Sequence, residues 1–297
     1  MKKIIFDLFL SLLTKLFKKK VLYISNTYRS PTTLAAKSKY GFWYCGDVFN
    51  QSDIAYGIAS HGMVESYDTE MVMSILKTLP SDFIFYDIGS NTGWYTMIAL
   101  TAHTKSTVYS FEPLVEHIAC QKETVHLNSK ESRVHIFETA LSNHNGIETI
   151  RLAGSGTSLE KDFLEKDLGT RTIEIKTLDS LIKKEELSLP HFIKIDVEGH
   201  EYKVIQGALS TITEAKPILF IEVAYSLKGL HRKFINKDFT ILFETLSSLG
   251  YKSYLLKDDS VTPYTDSVHA DGVYMYLFLN EKTHLQESPI KNLLHLS

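Results

Sequence analysis

Cysteine is scarce in this 297-residue chain, which contains only Cys45 and Cys120 and has no C-x-x-C pair. A disulfide framework and a cysteine-based zinc site are therefore not expected, whereas a reducing, cytoplasmic location is. The chain also lacks an excess of positive charge, because its 32 basic residues are outnumbered by 35 acidic ones and the net charge is -3. No basic stripe is interleaved with aromatic residues, so we expect no nucleic-acid substrate.

No apolar run in the sequence is long enough to cross a bilayer. Residues 1–20 begin like a signal peptide, but Asp7 and Lys15 interrupt the apolar stretch, and Lys18–Lys20 stand where small cleavage-site residues are needed. The spacing predicts an amphipathic helix instead. Two interpretations remain open: the helix packs on the rest of the protein or on a second subunit, or it makes peripheral contact with the anionic inner face of a membrane. The sequence does not predict an oligomeric state.

The sequence pattern divides the chain into an N-terminal amphipathic helix and cap segment, a main domain, and a polar C-terminal tail, over residues 1–80, 81–282 and 283–297. Residues 21–56 show little regular pattern, and a helix predicted over Ser66–Leu79 is ended by Pro80. Tyr56 and His61 of the cap segment are open to an active-site role, but we interpret them as structural, because lone residues of this kind usually are.

Apolar, strand-like runs alternate with helical stretches through the main domain, a pattern typical of a doubly wound α/β sheet. Seven strands are predicted, near residues 83–87, 107–111, 134–138, 192–196, 218–222, 251–256 and 273–279. Helices are predicted near residues 92–101, 115–129, 177–186, 200–212 and 236–249. A polar, turn-rich link separates the last two strands, so we expect them to form a final antiparallel pair. An additional strand pair is predicted over residues 147–152 and 172–176.

A glycine-bearing turn follows the first predicted strand in the block FIFYDIGSNTG, Phe83–Gly93. Asp87 ends the strand, the glycines let the backbone approach a ligand closely, and the next helix points its free N–H groups at the same place. Glu112 closes the second apolar run, VYSFEP, where it can accept hydrogen bonds from two ribose hydroxyls. This order of features predicts a site for a nucleotide-type cofactor.

The turn lacks the G-x-G-x-x-G spacing that a pyrophosphate needs at a helix N-terminus. Its pattern is D-x-G-x-N-x-G, with Asn91 in place of a second glycine. A carboxylate before the first glycine repels a pyrophosphate but suits an ammonium or sulfonium group, so the predicted cofactor is S-adenosylmethionine. A nicotinamide-dependent oxidoreductase and a catalytically inactive binding module are the alternatives. The predicted cofactor-binding residues are Asp87, Gly89, Asn91, Gly93, Glu112 and Asp196.

The block FIKIDVEGHE carries four ionisable residues after a central strand, namely Asp196, Glu198, His200 and Glu201. Charged groups are costly beside an apolar sheet unless they serve a ligand. We therefore predict catalytic roles for Asp196, Glu198 and His200, with Asp196 or His200 as the base and Glu222 as a competitor for that role. Glu201 is interpreted as structural, and Lys194 is expected to pair with an acid. No metal site is predicted, because no ligand spacing here is diagnostic.

The blocks FYDIGSNTGWYT, VYSFEP, TLDSLI and FIKIDVEGHEYKVIQGA resemble those of the FkbM family of S-adenosylmethionine-dependent methyltransferases, from about Asp53 to Val223. KIDVEGHE is the most distinctive of these blocks. The resemblance implies a class I methyltransferase fold, which is a Rossmann-like doubly wound sheet of seven strands. It also implies O-methylation of a hydroxyl on a sugar, glycan, polyketide or related small molecule, without fixing the acceptor.

Overall fold

The computed structural model describes residues 21–24, 33–47, 54–153, 157–160, 168–225, 236–264, 272–286 and 289–294. The helix predicted over residues 1–20 lies outside these ranges, and its membrane contact stays a prediction. Among the helices that the structure describes, none is both long and apolar enough to cross a membrane.

The strands are β1 (Val21–Ile24), β2 (Thr33–Lys37), β3 (Trp43–Asp47), β4 (Ile84–Ile88), β5 (Thr107–Phe111), β6 (Val134–Phe137), β7 (Ala140–Leu141), β8 (Gly146–Arg151), β9 (Thr170–Lys176), β10 (Phe192–Ile195), β11 (Ile218–Tyr225), β12 (Tyr251–Lys257), β13 (Ser260–Pro263) and β14 (Gly272–Asn280). The helices are α1 (Ile54–His61), α2 (Ser66–Leu76), α3 (Trp94–Ala102), α4 (Val115–Leu127), α5 (Leu178–Glu185), α6 (Glu201–Gln206), α7 (Leu209–Ala215), α8 (Phe239–Ser248), α9 (Glu281–His284) and α10 (Pro289–Leu293).

The central sheet has the order β13-β12-β14-β11-β10-β4-β5-β6. Strands β11, β10, β4, β5 and β6 are mutually parallel, whereas β14 runs antiparallel between β11 and β12. The seven predicted strands and the final antiparallel pair are therefore confirmed. The eighth strand, β13, returns from β12 through Asp258 and Asp259, both at positive φ. The sequence prediction missed β13 because this edge strand is largely exposed and has no apolar run.

Alternating side chains of the central strands pack on opposite faces of the sheet. One core contains Phe85, Phe192 and Phe220. It lies beneath helix α2, which precedes β4, and helix α3, which follows it. Tyr86 and Ile88 belong to a second core with α5 to α8 on the other face. The sheet is thus covered on both faces, as a doubly wound fold requires.

The N-terminal segment is more regular than the sequence indicated. Strands β1, β2 and β3 form an antiparallel sheet, and α1 follows it. The fully buried Tyr44 packs edge-on against Trp94, with 5.7 Å between ring centroids. Asn128 binds the backbone N–H and C=O of Trp43, which ties β3 to the end of α4. These strands were missed because they are short and their stabilising contacts lie far away in sequence.

One further segment differs from its prediction. The helix predicted over residues 200–212 is divided into α6 and α7 at Gly207, where a Cβ would lie 2.0 Å from the carbonyl oxygen of Ser142. Near the C-terminus, Ile290 and Leu294 are buried against the core. The additional strand pair is confirmed as β8 and β9, which β7 extends to a three-stranded sheet.

Candidate active site

The carboxyl ends of β4, β5 and β10 meet at one edge of the sheet, where the residues after them line a cavity. Gly89 and Asn91 follow β4, Glu112 follows β5, and Asp196 and Glu198 follow β10. The remaining wall includes Leu114, His117, Leu141, Ile150, Leu159 and His200. The winding of the sheet reverses between β4 and β10, which is where ligands bind in open α/β sheets.

The turn after β4 is held by close packing against the loop after β10. Gly89 has a φ of +71°, and a Cβ built on it would lie 1.8 Å from the carbonyl oxygen of Asp196. Gly93 has a φ of +87° and is the N-cap residue of α3, with the side chain of Gln121 2.6 Å from the position of its missing Cβ. The glycines are therefore required by protein contacts beside the cavity, and the close approach at Gly89 joins the two predicted site blocks.

Glu112 is nearly buried, and its carboxylate points at the turn after β4. One oxygen accepts the Asn91 N–H at 2.9 Å, and the other accepts the Leu114 N–H at 3.0 Å. The Nδ1 atom of His117 lies 3.2 Å from the latter oxygen. The sequence predicted Glu112 at this site, and the structure places it in the cavity wall with its orientation fixed by backbone donors.

Asp87 lies behind the cavity and does not line it. Its side chain is fully buried, one oxygen accepts the Thr96 hydroxyl at 2.6 Å, and the other has no hydrogen-bond partner among the described residues. Burial raises the pKa of Asp87, although the positive charge of Lys194, opposite it on β10, acts against this. Direct contact between Asp87 and a cofactor therefore stays a prediction.

Asp196 is paired with Lys194, as the sequence indicated for that lysine. The buried ammonium donates to Asp196 at 2.8 Å and to the Gly89 carbonyl at 3.3 Å. The ring of Tyr95 lies 5.3 Å from the same ammonium. Because Asp196 and Asp87 surround Lys194, they raise its pKa despite its burial, and the lysine stays charged.

Three carboxyl groups converge beside this ion pair. The side-chain oxygens of Asp196, Glu198 and Glu222 lie within 4.8 Å of one another. Burial raises the pKa of Glu198 and of Glu222 well above the usual range, and the neighbouring carboxylates raise both further. Oxygen atoms at such distances can hold a divalent cation. Because Lys194 already neutralises Asp196, we keep the prediction that no metal is bound.

Glu201 organises the loop that carries the predicted catalytic residues. One of its oxygens accepts the N–H groups of Val197 and Gly199, each at 3.1 Å, and the other contacts Asn236. Burial raises the pKa of Glu201 to about 7. These contacts agree with the structural role inferred from the sequence.

Both ring nitrogens of His200 are occupied. Nε2 lies 2.9 Å from the Ser142 hydroxyl, and Nδ1 lies 2.7 Å from the Glu160 carboxylate. Lys203 also donates to that carboxylate, at 2.8 Å, and these partners lower the pKa of Glu160 to about 2. His200 therefore lines the cavity, but neither of its ring nitrogens is available to take a proton from a substrate in this arrangement. Its role as the base stays a prediction.

Sequence reasoning missed Glu65, Tyr95 and Glu160. The Tyr95 hydroxyl donates to Glu65 at 2.7 Å, which brings the cap segment to the ion pair after β10. Desolvation by the surrounding protein raises the pKa of Glu65, although the residue as a whole is exposed. No spacing rule relates residues so far apart in sequence, and no signal in the chain indicated these contacts. His61, which we interpreted as structural, is exposed and does not line the cavity.

The strand order, with an antiparallel strand inserted next to the last parallel one, and the cavity at its switch point define a class I methyltransferase fold. The family model of the methyltransferase FkbM domain matches residues 87–253, which is more than half of the chain. The chain therefore belongs to the FkbM methyltransferase family. Both the resemblance inferred from the sequence and the predicted fold class are confirmed, and S-adenosylmethionine is the methyl donor of this family.

The hexuronic acid methyltransferase AglP of Haloferax volcanii is 28% identical over 148 residues, which cover 49% of this chain and 58% of the relative. The chain thus spans less than two thirds of the length of that curated relative. Methyltransferase FkbM from Methylobacillus flagellatus has a TM-score of 0.46 at 18% identity, covering 67% of this chain and 44% of that one. An O-methyltransferase from Bacillus cereus has the same TM-score at 13% identity, covering 75% and 85%.

Proposed function

We propose that this protein transfers the methyl group of S-adenosylmethionine to a hydroxyl oxygen of a sugar or glycan. The observation that carries the proposal is the cavity at the switch point, which is lined by the fixed carboxylate of Glu112 and by Asp196 and Glu198 after β10, two residues that cluster with Glu222 of β11. The name of the curated relative, a hexuronic acid methyltransferase, supports a sugar as the acceptor class.

The residues of the cavity fit the proposed cofactor. A carboxylate offers about four acceptor positions, and the contacts of Glu112 use three of them, which leaves capacity for a ribose hydroxyl. Leu114, Leu141, Ile150 and Leu159 provide an apolar wall of the kind that suits a flat adenine ring. Asp196 and Glu198 also line the cavity, where they offer oxygen atoms as hydrogen-bond acceptors to the ligand.

S-adenosylmethionine, when bound, supplies a methyl group on a positively charged sulfur. The protein then has to align the acceptor, exclude water and take up the hydroxyl proton. We assign proton uptake to the cluster of Asp196, Glu198 and Glu222. We favour Glu222, which lies on β11 with its carboxyl oxygens within 4.8 Å of those of the other two residues, and whose pKa is raised by burial. Asp196 is held by Lys194, and Glu198 lies in a loop at positive φ.

The roles of the other site residues follow from their contacts. We propose that Asn91 and Gly93 shape the turn against which the cofactor lies, with Glu112 binding its ribose. His200, with both nitrogens occupied, is better suited to positioning than to proton uptake. Asp87 would act through Lys194, because the positive charge of Lys194 interacts with both Asp87 and Asp196.

A turnover assay tests this proposal. Purified protein is incubated with S-adenosylmethionine and a panel of methyl glycosides, and release of S-adenosylhomocysteine is measured. Glu222→Gln should lower turnover at least about 100-fold, since a positioned general base contributes on that scale, while affinity for S-adenosylhomocysteine changes only a few-fold. The control is Glu116→Gln, an exposed carboxylate paired with Arg171. Normal turnover by Glu222→Gln would remove this residue from proton uptake. Cofactor binding without turnover of any sugar would refute the acceptor class.

A further inference from the structure

The segment Thr157–Glu160, which we name the clasp segment, forms part of the wall of the cavity through Thr157 and Leu159. It lies next to the end of β8, where Ser158 and Arg151 exchange two backbone hydrogen bonds of 2.9 and 3.1 Å. Leu159 also packs in a small apolar cluster with Leu114 and Ile150. The clasp segment therefore contributes to the apolar end of the cavity.

Two side chains attach the clasp segment to the loop after β10. The Ser158 hydroxyl donates to the backbone carbonyl of Glu198. Glu160 accepts from His200 at 2.7 Å and from Lys203 at 2.8 Å, so one carboxylate oxygen joins the loop and the helix that follows it. The same loop carries Asp196 and Glu198. These hydrogen bonds therefore join the apolar wall of the cavity to the carboxyl cluster.

The negative charge of Glu160 strengthens the attachment of the clasp segment to the loop after β10. Hydrogen bonds from His200 and Lys203 lower the pKa of Glu160 to about 2, so Glu160 is a carboxylate at neutral pH. His200 is nearly buried, and hydrogen bonds between an ionised acceptor and such donors are roughly twice as strong as neutral ones. Ser142, His200 and Glu160 are arranged like a hydrolytic triad, but Ser142 is only 1% exposed, so a substrate cannot reach its hydroxyl.

We propose that Glu160 is a positioning residue for the methyl donor: through His200 and Lys203 it holds Leu159 and the clasp segment against the adenine end of the cavity. This inference rests on the proposed function, because it takes S-adenosylmethionine as the ligand. It gives His200 the role of an anchor and not that of the base.

The test is calorimetric titration with S-adenosylhomocysteine of the full chain and of Glu160→Ala, Glu160→Gln and Ser158→Ala. Loss of a charged attachment should weaken binding about tenfold in Glu160→Ala. Glu160→Gln keeps an oxygen that can accept from His200, and it should recover most of the affinity. Ser158→Ala removes the second attachment and provides an independent test if Glu160→Ala does not fold. Glu116→Ala, which breaks the exposed pair with Arg171, is the control and should bind like the parent.

A second measurement separates positioning from a general structural role. The melting temperature of ligand-free Glu160→Ala should stay close to that of the parent, while the rise caused by S-adenosylhomocysteine should shrink. Parent-like affinity in both Glu160→Ala and Ser158→Ala would overturn the inference. So would an equal loss in Glu160→Gln and Glu160→Ala, because the hydrogen bond to His200 would then be irrelevant. Absence of binding by the parent protein would instead refute the proposed function.

Discussion

The contact between Gly89 and Asp196 gives a sharp prediction about how the two halves of the site are joined. A Cβ at Gly89 would lie 1.8 Å from the Asp196 carbonyl oxygen, roughly half of an ordinary van der Waals separation. Neither partner can move easily, because the Gly89 N–H donates to the Phe111 carbonyl at 3.0 Å and the Asp196 N–H donates to the Ile88 carbonyl at 3.1 Å. Gly89→Ala should therefore displace the loop after β10.

The expected cost has two parts that a control variant separates. Placing a side chain at positive φ costs about 1–2 kcal/mol, and overpacking a rigid site adds about 1–3 kcal/mol. Gly41 also has a positive φ, of +90°, but a Cβ there would meet nothing within 4 Å. Gly41→Ala should therefore lose only the first amount, about 1–2 kcal/mol, and Gly89→Ala about 2–5 kcal/mol.

Urea unfolding of both variants measures this difference, and titration with S-adenosylhomocysteine measures its effect on the site. Gly89→Ala should be the less stable protein and should bind the ligand poorly even under conditions in which it is folded. Equal stability of the two variants, together with normal binding by Gly89→Ala, would show that the close approach of these loops has been misjudged.

Two further predictions concern Glu112 and Glu201. Glu112→Ala should weaken binding of S-adenosylhomocysteine by about 1.5–3 kcal/mol, measured by calorimetry, because a charged hydrogen-bonding group is lost; unchanged affinity would remove it from the ribose site. Burial raises the pKa of Glu201 to about 7, so the unfolded chain releases this proton at lower pH than the folded one. Stability should therefore fall as pH rises from about 4.5 to 7, by about 3 kcal/mol from this residue, and urea unfolding of Glu201→Gln should show a flatter profile. Parallel profiles of the parent and the variant would contradict the assignment.

The sequence was most informative where a strand is buried on both faces. Such strands appear as continuous apolar runs, which is why the central strands β4 and β10 were predicted and the exposed β13 was not. The sharp turn at Gly89 and the acids that follow neighbouring strands were found for a related reason. Parallel strands deliver the residues that follow them to one edge, so Glu112 and Asp196, which line one cavity, could be assigned to one site from their order alone.

The rest of the site depends on contacts that no local pattern encodes. Glu65 reaches the ion pair after β10 through the Tyr95 hydroxyl, and Glu160 reaches His200 from the clasp segment beside β8. Asp87 shows the opposite case, because its motif was recognised correctly while its buried position behind the cavity could not be inferred from the chain. Side-chain direction and tertiary distance decided these outcomes, and neither follows from spacing.

The cavity at the carboxyl ends of β4 and β5 is expected to bind the methyl donor. Calorimetric titration of the purified full chain with S-adenosylmethionine, S-adenosylhomocysteine and NAD measures this binding. We expect micromolar binding of the first two ligands, one molecule per chain, and no binding of NAD. Binding of NAD, or no binding of either sulfur-containing ligand, would show that the cavity does not hold S-adenosylmethionine.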